Sequence, residues 1–205
     1  MSGIHNILSD IWGYNSFRPG QEEIINHLLQ KKSALAIMPT GGGKSLCFQI
    51  PALLLDNQTI VVSPLVSLMN DQVNALKDLE VKAECMHSDM SEDERLEVWE
   101  RFLKNDLKIL YISPESLMQQ SRISELQTLK ISMFVIDEAH CISKWGADFR
   151  KSYEQLKDLK TFFPEAIISA FTATADEETR EDIELGTGAK TRQATIDFVI
   201  SGFVN

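Results

Sequence analysis

Ala34-Leu35-Ala36-Ile37-Met38-Pro39-Thr40-Gly41-Gly42-Gly43-Lys44-Ser45-Leu46-Cys47-Phe48 is the stretch on which the reading of this chain turns. An apolar, unbroken run ends in a glycine-rich turn, and the turn opens into a stretch with apolar residues at Leu46, Phe48 and Ile50. Glycines in such a turn let backbone N–H groups close around phosphate oxygens, and the start of a helix adds a positive dipole. Lys44 would reach the β and γ phosphates of ATP and Ser45 would ligate Mg²⁺, so Thr40, Gly41, Gly42, Gly43, Lys44 and Ser45 form a candidate nucleotide site. The pattern departs from G-x-x-x-x-G-K-[ST] at its first position, where Met38 stands. A glycine-rich turn with an incidental lysine is the plainer alternative, and the strand before it and the helix after it speak against that.

Further apolar, β-rich runs occur at Thr59 to Ser63, Lys108 to Ile112, Met133 to Ile136 and Ile167 to Phe171. Most do not alternate, as expected of strands covered on both faces. Helical patterns lie between them, at Ile24, Ile25, Leu28 and Leu29, at Leu65, Leu68, Met69, Val73 and Leu76, and at Leu96, Trp99, Phe102 and Leu103. Ser91 with Glu94 three residues on has capping-box spacing, and Asp176 stands before Glu177 and Glu178 as another helix start. A last β-like run spans Ile196 to Ile200. Strands alternating with helices predict an α/β fold with a mainly parallel sheet, helices on both faces and ligand sites at the carboxyl ends of the strands.

The chain has 205 residues, 43% of them apolar, enough for one substantial core, so residues 1–205 read as a single domain. No apolar stretch is long enough to span a bilayer and the N-terminus lacks a signal-peptide pattern, so a cytoplasmic location with no membrane partner is expected. Cys47, Cys85 and Cys141 form no C-x-x-C pair, which fits a reduced compartment. A formal net charge of −10 argues against a protein that coats nucleic acid, because non-specific phosphate binding needs clustered Lys and Arg. Any DNA contact must be local.

Met133-Phe134-Val135-Ile136 runs into Asp137-Glu138-Ala139-His140. A strand ending in adjacent acids suits the second half of an ATPase site. Asp137 would hold Mg²⁺ through its water shell and Glu138 would orient or deprotonate the attacking water, with a neighbouring parallel strand bringing both near the γ-phosphate. Lys44, Asp137 and Glu138 are thus the candidate catalytic residues, and Ser45 and Asp137 the metal pair. An Asp-Glu pair alone would read as a solvated helix start; the phosphate loop changes that reading. No second ligand stands at helical spacing from His140, so zinc is not expected there.

Five ordered stretches carry a family resemblance. They are Gly13 to Ile25, Met38 to Ala52, Val62-Ser63-Pro64-Leu65-Val66-Ser67-Leu68-Met69-Asn70-Asp71-Gln72-Val73, Asp137 to Arg150, and Ala170-Phe171-Thr172-Ala173-Thr174-Ala175. Over about residues 8 to 185 the chain resembles the RecQ family of ATP-dependent DNA helicases, specifically their first, RecA-like P-loop NTPase motor lobe. Helicases commonly tolerate the change at Met38. The resemblance implies that Gln21 bonds the adenine edge while Arg18 and Tyr14 help to hold the base. Gln can donate to and accept from a base edge and a tyrosine ring can stack on it. Core packing is the plain alternative for Tyr14 and for Phe17.

Cys141 to Arg150 looks like the aromatic-rich loop through which this family senses single-stranded DNA. There Trp145 and Phe149 would stack on unpaired bases and Arg150 would meet a phosphate, with core packing of the two rings as the alternative. Lys144 and Ala147 depart from the usual Gln and His, and Ala147 removes a polar contact. The resemblance further implies that Ser63 and Pro64 hold a DNA phosphate. It makes His140, Thr172 and Thr174 the link between nucleotide state and the DNA cleft. As bare sequence, Ser63-Pro64 and Thr172 to Thr174 read equally as caps or turns.

What the resemblance implies for the whole is 3'-5' unwinding of single-stranded or forked DNA in repair and recombination, with association with the nucleoid if the source is bacterial. A second RecA-like lobe would supply a finger arginine worth roughly 10³–10⁵ in rate. That lobe and the zinc and winged-helix regions of many relatives are not in these 205 residues, so weak ATP binding, poor hydrolysis and no unwinding are expected of the polypeptide alone. Two other readings stay open: a non-catalytic, nucleotide-gated module that binds DNA or a partner, and an RNA helicase of the DEAD-box type.

Overall fold

A computed structural model of the chain describes residues 2–140, 155–173 and 195–196. The elements run α1 (Ser2–Trp12), α2 (Gln21–Leu29), β1 (Ala34–Ile37), α3 (Lys44–Leu54), β2 (Gln58–Val62), α4 (Val66–Asp78), β3 (Ala83–Met86) and α5 (Glu92–Leu103). They continue with β4 (Ile109–Ile112), α6 (Pro114–Leu117), α7 (Gln120–Leu126), β5 (Ile131–Ile136), α8 (Leu159–Phe162), β6 (Ile167–Thr172) and β7 (Thr195–Ile196). The strands form one sheet in the order β3-β4-β2-β5-β6-β1-β7, and each pairing among them is parallel. The expected α/β architecture is therefore present.

Alternation along each strand explains the layers. On β2, Ile60 and Val62 join one apolar cluster with Phe134, Ile136, Trp99 and Phe102, while Val61 joins the other with Tyr111, Phe48, Met69 and Val73. Successive side chains point to opposite faces of a strand, so a sheet covered on both sides needs apolar residues at nearly every position. Helices α2, α3 and α4 cover one face and α5 and α7 the other. A third, smaller cluster of Ile4, Leu8, Ile25 and Ile50 docks α1 onto α2 and α3.

Five predicted strands and four helices, α2 to α5, recur with shifted ends, and the capping box at Ser91 and Glu94 is formed. Helix α1, the short helices α6, α7 and α8, and edge strand β3 are additions. Ile4, Ile7, Leu8 and Ile11 carry helical spacing, whereas β3 is short and interrupted by Glu84. The helix start at Asp176 lies outside the described residues, as do all but Ile196 of the last predicted strand.

One expectation is corrected. The strand that ends in Asp137 is not a neighbour of the strand that ends in the phosphate loop: β6 lies between β5 and β1. Two strand spacings, roughly 10 Å, therefore separate the two ends, and a long side chain has to cross them.

Candidate functional site

The phosphate loop is shaped by its glycines. Gly41 and Gly43 both have φ of 78°, in the left-handed region, and Gly43 is the N-cap of α3. A Cβ on Gly42 would sit 2.8 Å from the Pro39 carbonyl, and one on Gly43 would collide with Gln21 Nε2. Gln21, only 2% exposed, packs directly against this turn. Its Nε2 donates to the carbonyls of Gly42 at 3.3 Å and Gly43 at 3.1 Å, and its Oε1 accepts the Arg18 N–H at 2.8 Å. The Arg18 guanidinium donates to the Gly41 carbonyl. Gln21 and Arg18 thus staple the loop carbonyls, and the Gly42 N–H closes the turn on the Pro39 carbonyl at 2.9 Å.

Lys44 reaches across β6. Its Nζ lies 3.1 Å from Glu138 Oε1, joining residues 94 apart in sequence, with the two side chains 13% and 18% exposed. Glu138 has φ of 51°, unusual for a residue with a Cβ and confined to a sharp turn. That turn follows β5 directly, with the Asp137 N–H on the Val62 carbonyl and the Ala139 N–H on the Phe171 carbonyl. Its outcome is two adjacent carboxylates facing the loop. His140 Nδ1 stands 3.0 Å from Thr172 Oγ1 and 3.3 Å from Glu138 Oε2, so the ends of β5 and β6 meet at one imidazole.

Asp137 is buried, at 3% exposure. Its Oδ1 accepts the Glu138 N–H at 3.0 Å and its Oδ2 accepts from Gln72 Nε2 at 3.2 Å. Burial raises its pKa, and the negative charge of Glu138 pushes the same way; Lys44 and the hydrogen bonds oppose them. An acid held ionised at such a site is costly unless a cation stands beside it. Ser45 and Asp137 both line the same cavity. No group of three or more His, Cys, Asp or Glu that could cage a metal occurs among the described residues. That donor set fits Mg²⁺, which keeps most of its waters and takes the rest of its ligands from phosphates rather than from a protein cage.

These groups face a cavity of about 590 Å³, lined among others by Tyr14, Arg18, Gln21, Lys44, Asp137 and Glu138. Its size is that of a small-molecule site. Tyr14 is 55% exposed at its rim, whereas Phe17 packs on the α1 cluster and edge-on to His5, so only the second behaves as packing. Ser63, 1% exposed, accepts the Leu65 N–H at 3.5 Å in a turn at the end of β2, with Pro64 beside it. Trp145, Phe149, Arg150 and Thr174 lie outside the described residues, with Cys141, Lys144 and Ala147. Burial pushes the Cys47 thiol up to about 12, so it is inert beside the loop.

Sequence reasoning passed over Gln49, Gln72 and Tyr111 as individual residues, and over Leu8 and Trp12 of α1 on the cavity wall. The first three form a chain beside Asp137, buried at Gln49 and Tyr111 and partly buried at Gln72: Gln49 Nε2 donates to the Tyr111 hydroxyl at 3.1 Å, which donates to Gln72 Oε1 at 2.8 Å. A tyrosine within an otherwise aliphatic strand was the available signal, since a buried hydroxyl demands a partner.

Residues 18–183 match the DEAD/DEAH box helicase family. The chain is 48% identical over 178 residues to an ATP-dependent DNA helicase RecQ of Haemophilus influenzae, covering 87% of this chain and 29% of that protein. With a second ATP-dependent DNA helicase RecQ, of Pasteurella multocida, it shares 49% over 178 residues, covering 87% and 28%. It therefore spans less than a third of the length of either relative. In fold it is similar to the DUF1998 helicase MrfA bound to DNA, with a TM-score of 0.73 at 22% identity over 92% of this chain and 28% of that one.

Proposed function

From the membership of this chain in the DEAD/DEAH box helicase family, we propose that it is the first motor lobe of a RecQ-type DNA helicase, binding ATP with Mg²⁺ and single-stranded DNA. One observation carries this most: Lys44 Nζ lies 3.1 Å from Glu138 Oε1 across an intervening strand, with Asp137 buried behind. A structural ion pair has no need of a second buried acid beside it. Hydrolysis of Mg²⁺-bound ATP does, one acid to hold the metal that neutralises the phosphates and one to take the proton of the attacking water.

In this reading the γ-phosphate takes over Lys44, and the N–H groups of the loop cradle the β-phosphate. Release of Lys44 leaves Glu138 free to accept a proton from water, with His140 beside its other oxygen. Mg²⁺ would be held by Ser45 and Asp137 and would neutralise phosphate charge. Tyr14 at the rim would stack on the base, and Arg18 and Gln21, now bonded to loop carbonyls, would turn towards it. DNA would run over the ends of β2 and the segment from Cys141 to Arg150, through Ser63, Pro64, Trp145, Phe149 and Arg150. Thr172 and Thr174 would report phosphate state to it.

ATP turnover tests this, measured with and without single-stranded DNA for the 205-residue polypeptide and for a longer one with a second lobe. Turnover in the longer protein that depends on DNA, and falls about 10²–10³-fold in Lys44→Ala, is the expected result. ATP binding without turnover in either would favour a nucleotide-gated binding module, and stimulation by RNA in place of DNA would favour an RNA helicase. No helix among the described residues is long and apolar enough to cross a membrane.

A further inference from the structure

Along the wall of the cavity runs a polar chain that packing alone does not require, with Gln49 and Gln72 on the lining and Tyr111 behind them. Tyr111 is fully buried and Gln49 is 5% exposed, on the sheet face lined by Val61, Met69, Val73 and Val135. Polar ends in such a place cost stability unless they are bonded, and here they are bonded to one another in series. Gln49 sits in the helix that begins at Lys44, Tyr111 in β4, and Gln72 in the helix that follows the Ser63–Pro64 turn.

The direction of every bond follows from one end. An ionised Asp137 only accepts, so Gln72 must present Nε2 to it. Gln72 Oε1 then faces Tyr111, whose hydroxyl must donate. The hydroxyl oxygen is left to accept, and Gln49 must present Nε2. With Oδ2 held by Gln72 and Oδ1 by the Glu138 N–H, the plane of the Asp137 carboxyl is set from two sides. A backbone N–H alone leaves rotation about the Cβ–Cγ bond open.

We propose that Gln72, locked by Tyr111 and Gln49, is a positioning residue that orients the Asp137 carboxylate for the metal bound with nucleotide. The inference rests on the ATP-binding reading above. Gln72 acts through Asp137, and Tyr111 acts through Gln72. Tyr111 is absent from the cavity lining, so its hydroxyl can be removed without touching nucleotide. Partners that orient metal ligands typically matter at the level of 10–100-fold in metal affinity.

The test is binding of a fluorescent ATP analogue to the 205-residue chain, in EDTA and over a Mg²⁺ series, with no turnover involved. Gln72→Leu is expected to raise the Mg²⁺ concentration for half-maximal tightening by about tenfold. Tyr111→Phe should shift it in the same direction by less, and affinity in EDTA should not change for either. In an Asp137→Asn background, Gln72→Leu should have no further effect, the non-additivity expected of residues acting in series.

An unmoved Mg²⁺ requirement in Gln72→Leu, or an equal shift with Asp137 already replaced, overturns the proposal while ATP binding stands. A parallel loss in EDTA and Mg²⁺ also overturns it, since that is the mark of a merely structural role. Should Gln72→Leu fail to fold, Tyr111→Phe keeps the volume and is read by the same criteria. No analogue binding by the unaltered chain refutes the ATP reading, and this inference with it.

Discussion

Two of the places where carboxylates meet cations among the described residues differ in nearly every other respect. At the edge of the sheet, Glu84 accepts from Lys77 at 2.6 Å and Arg101 at 2.9 Å, with the cations 46% and 40% exposed. All three lie close in sequence. At the other place, Lys44 and Glu138 are 94 residues apart, mostly shielded from water, and pressed against the buried Asp137. Glu84 itself is 16% exposed, but water reaches both of its cations, so the first cluster contributes little and asks for little. The second keeps two acids beside one lysine in a low-dielectric setting, an arrangement that lowers stability and makes sense only where more positive charge arrives with a ligand.

The sharpest way to break this contrast is Gly43→Ala. The φ of 78° and the collision with Gln21 Nε2 both oppose a Cβ there, so denaturant unfolding should show a loss of about 1–3 kcal/mol. A stable Gly43→Ala would mean that the loop is not held from behind by Gln21, and that the site is no more constrained than the edge.

Asp137→Asn tests the claim that the site carries a stability cost. The pKa of Asp137 is raised by burial and by Glu138, so above that pKa folding confines a charge that the unfolded chain leaves in water. As pH falls through the folded pKa towards the ordinary value of 3.8, the folded protein takes up a proton first and the penalty fades. At pH 7 the variant should melt a few degrees higher, where 1 kcal/mol corresponds to about 2–4 °C in a chain of this size. The advantage should shrink as the pH is lowered towards 4. A lower melting point at neutral pH would show Asp137 to be a net stabiliser and remove the distinction between the two clusters.

Smallest of all should be Glu84→Ala, at less than about 1 kcal/mol and less still in high salt. A larger, salt-insensitive loss by the same melting measurement would move the edge cluster into the class of the buried one.

The sheet was legible because five of its strands are nearly continuous apolar runs, a pattern that only burial on both faces allows. Strand β3 was not, since four residues interrupted by Glu84 give no period. The phosphate loop was legible because glycine takes the φ of 78° at Gly41 and Gly43 without strain, and Asp137 and Glu138 because acids at the end of an apolar run stand out. Gln49, Gln72 and Tyr111 were passed over because their partners come from α3, α4 and β4, and no local spacing records a bond between residues 62 or 39 apart.

Local chemistry by itself therefore determined the α/β class, the loop that can hold phosphate and the acids that can face it, since each depends on neighbours in sequence. Tertiary structure alone decided that β6 would separate β1 from β5, that Lys44 would have to span it to meet Glu138, and that Asp137 would be held from behind by Gln72. Strand order and side-chain partnership arise from how distant segments pack against one another, and a one-dimensional pattern records neither.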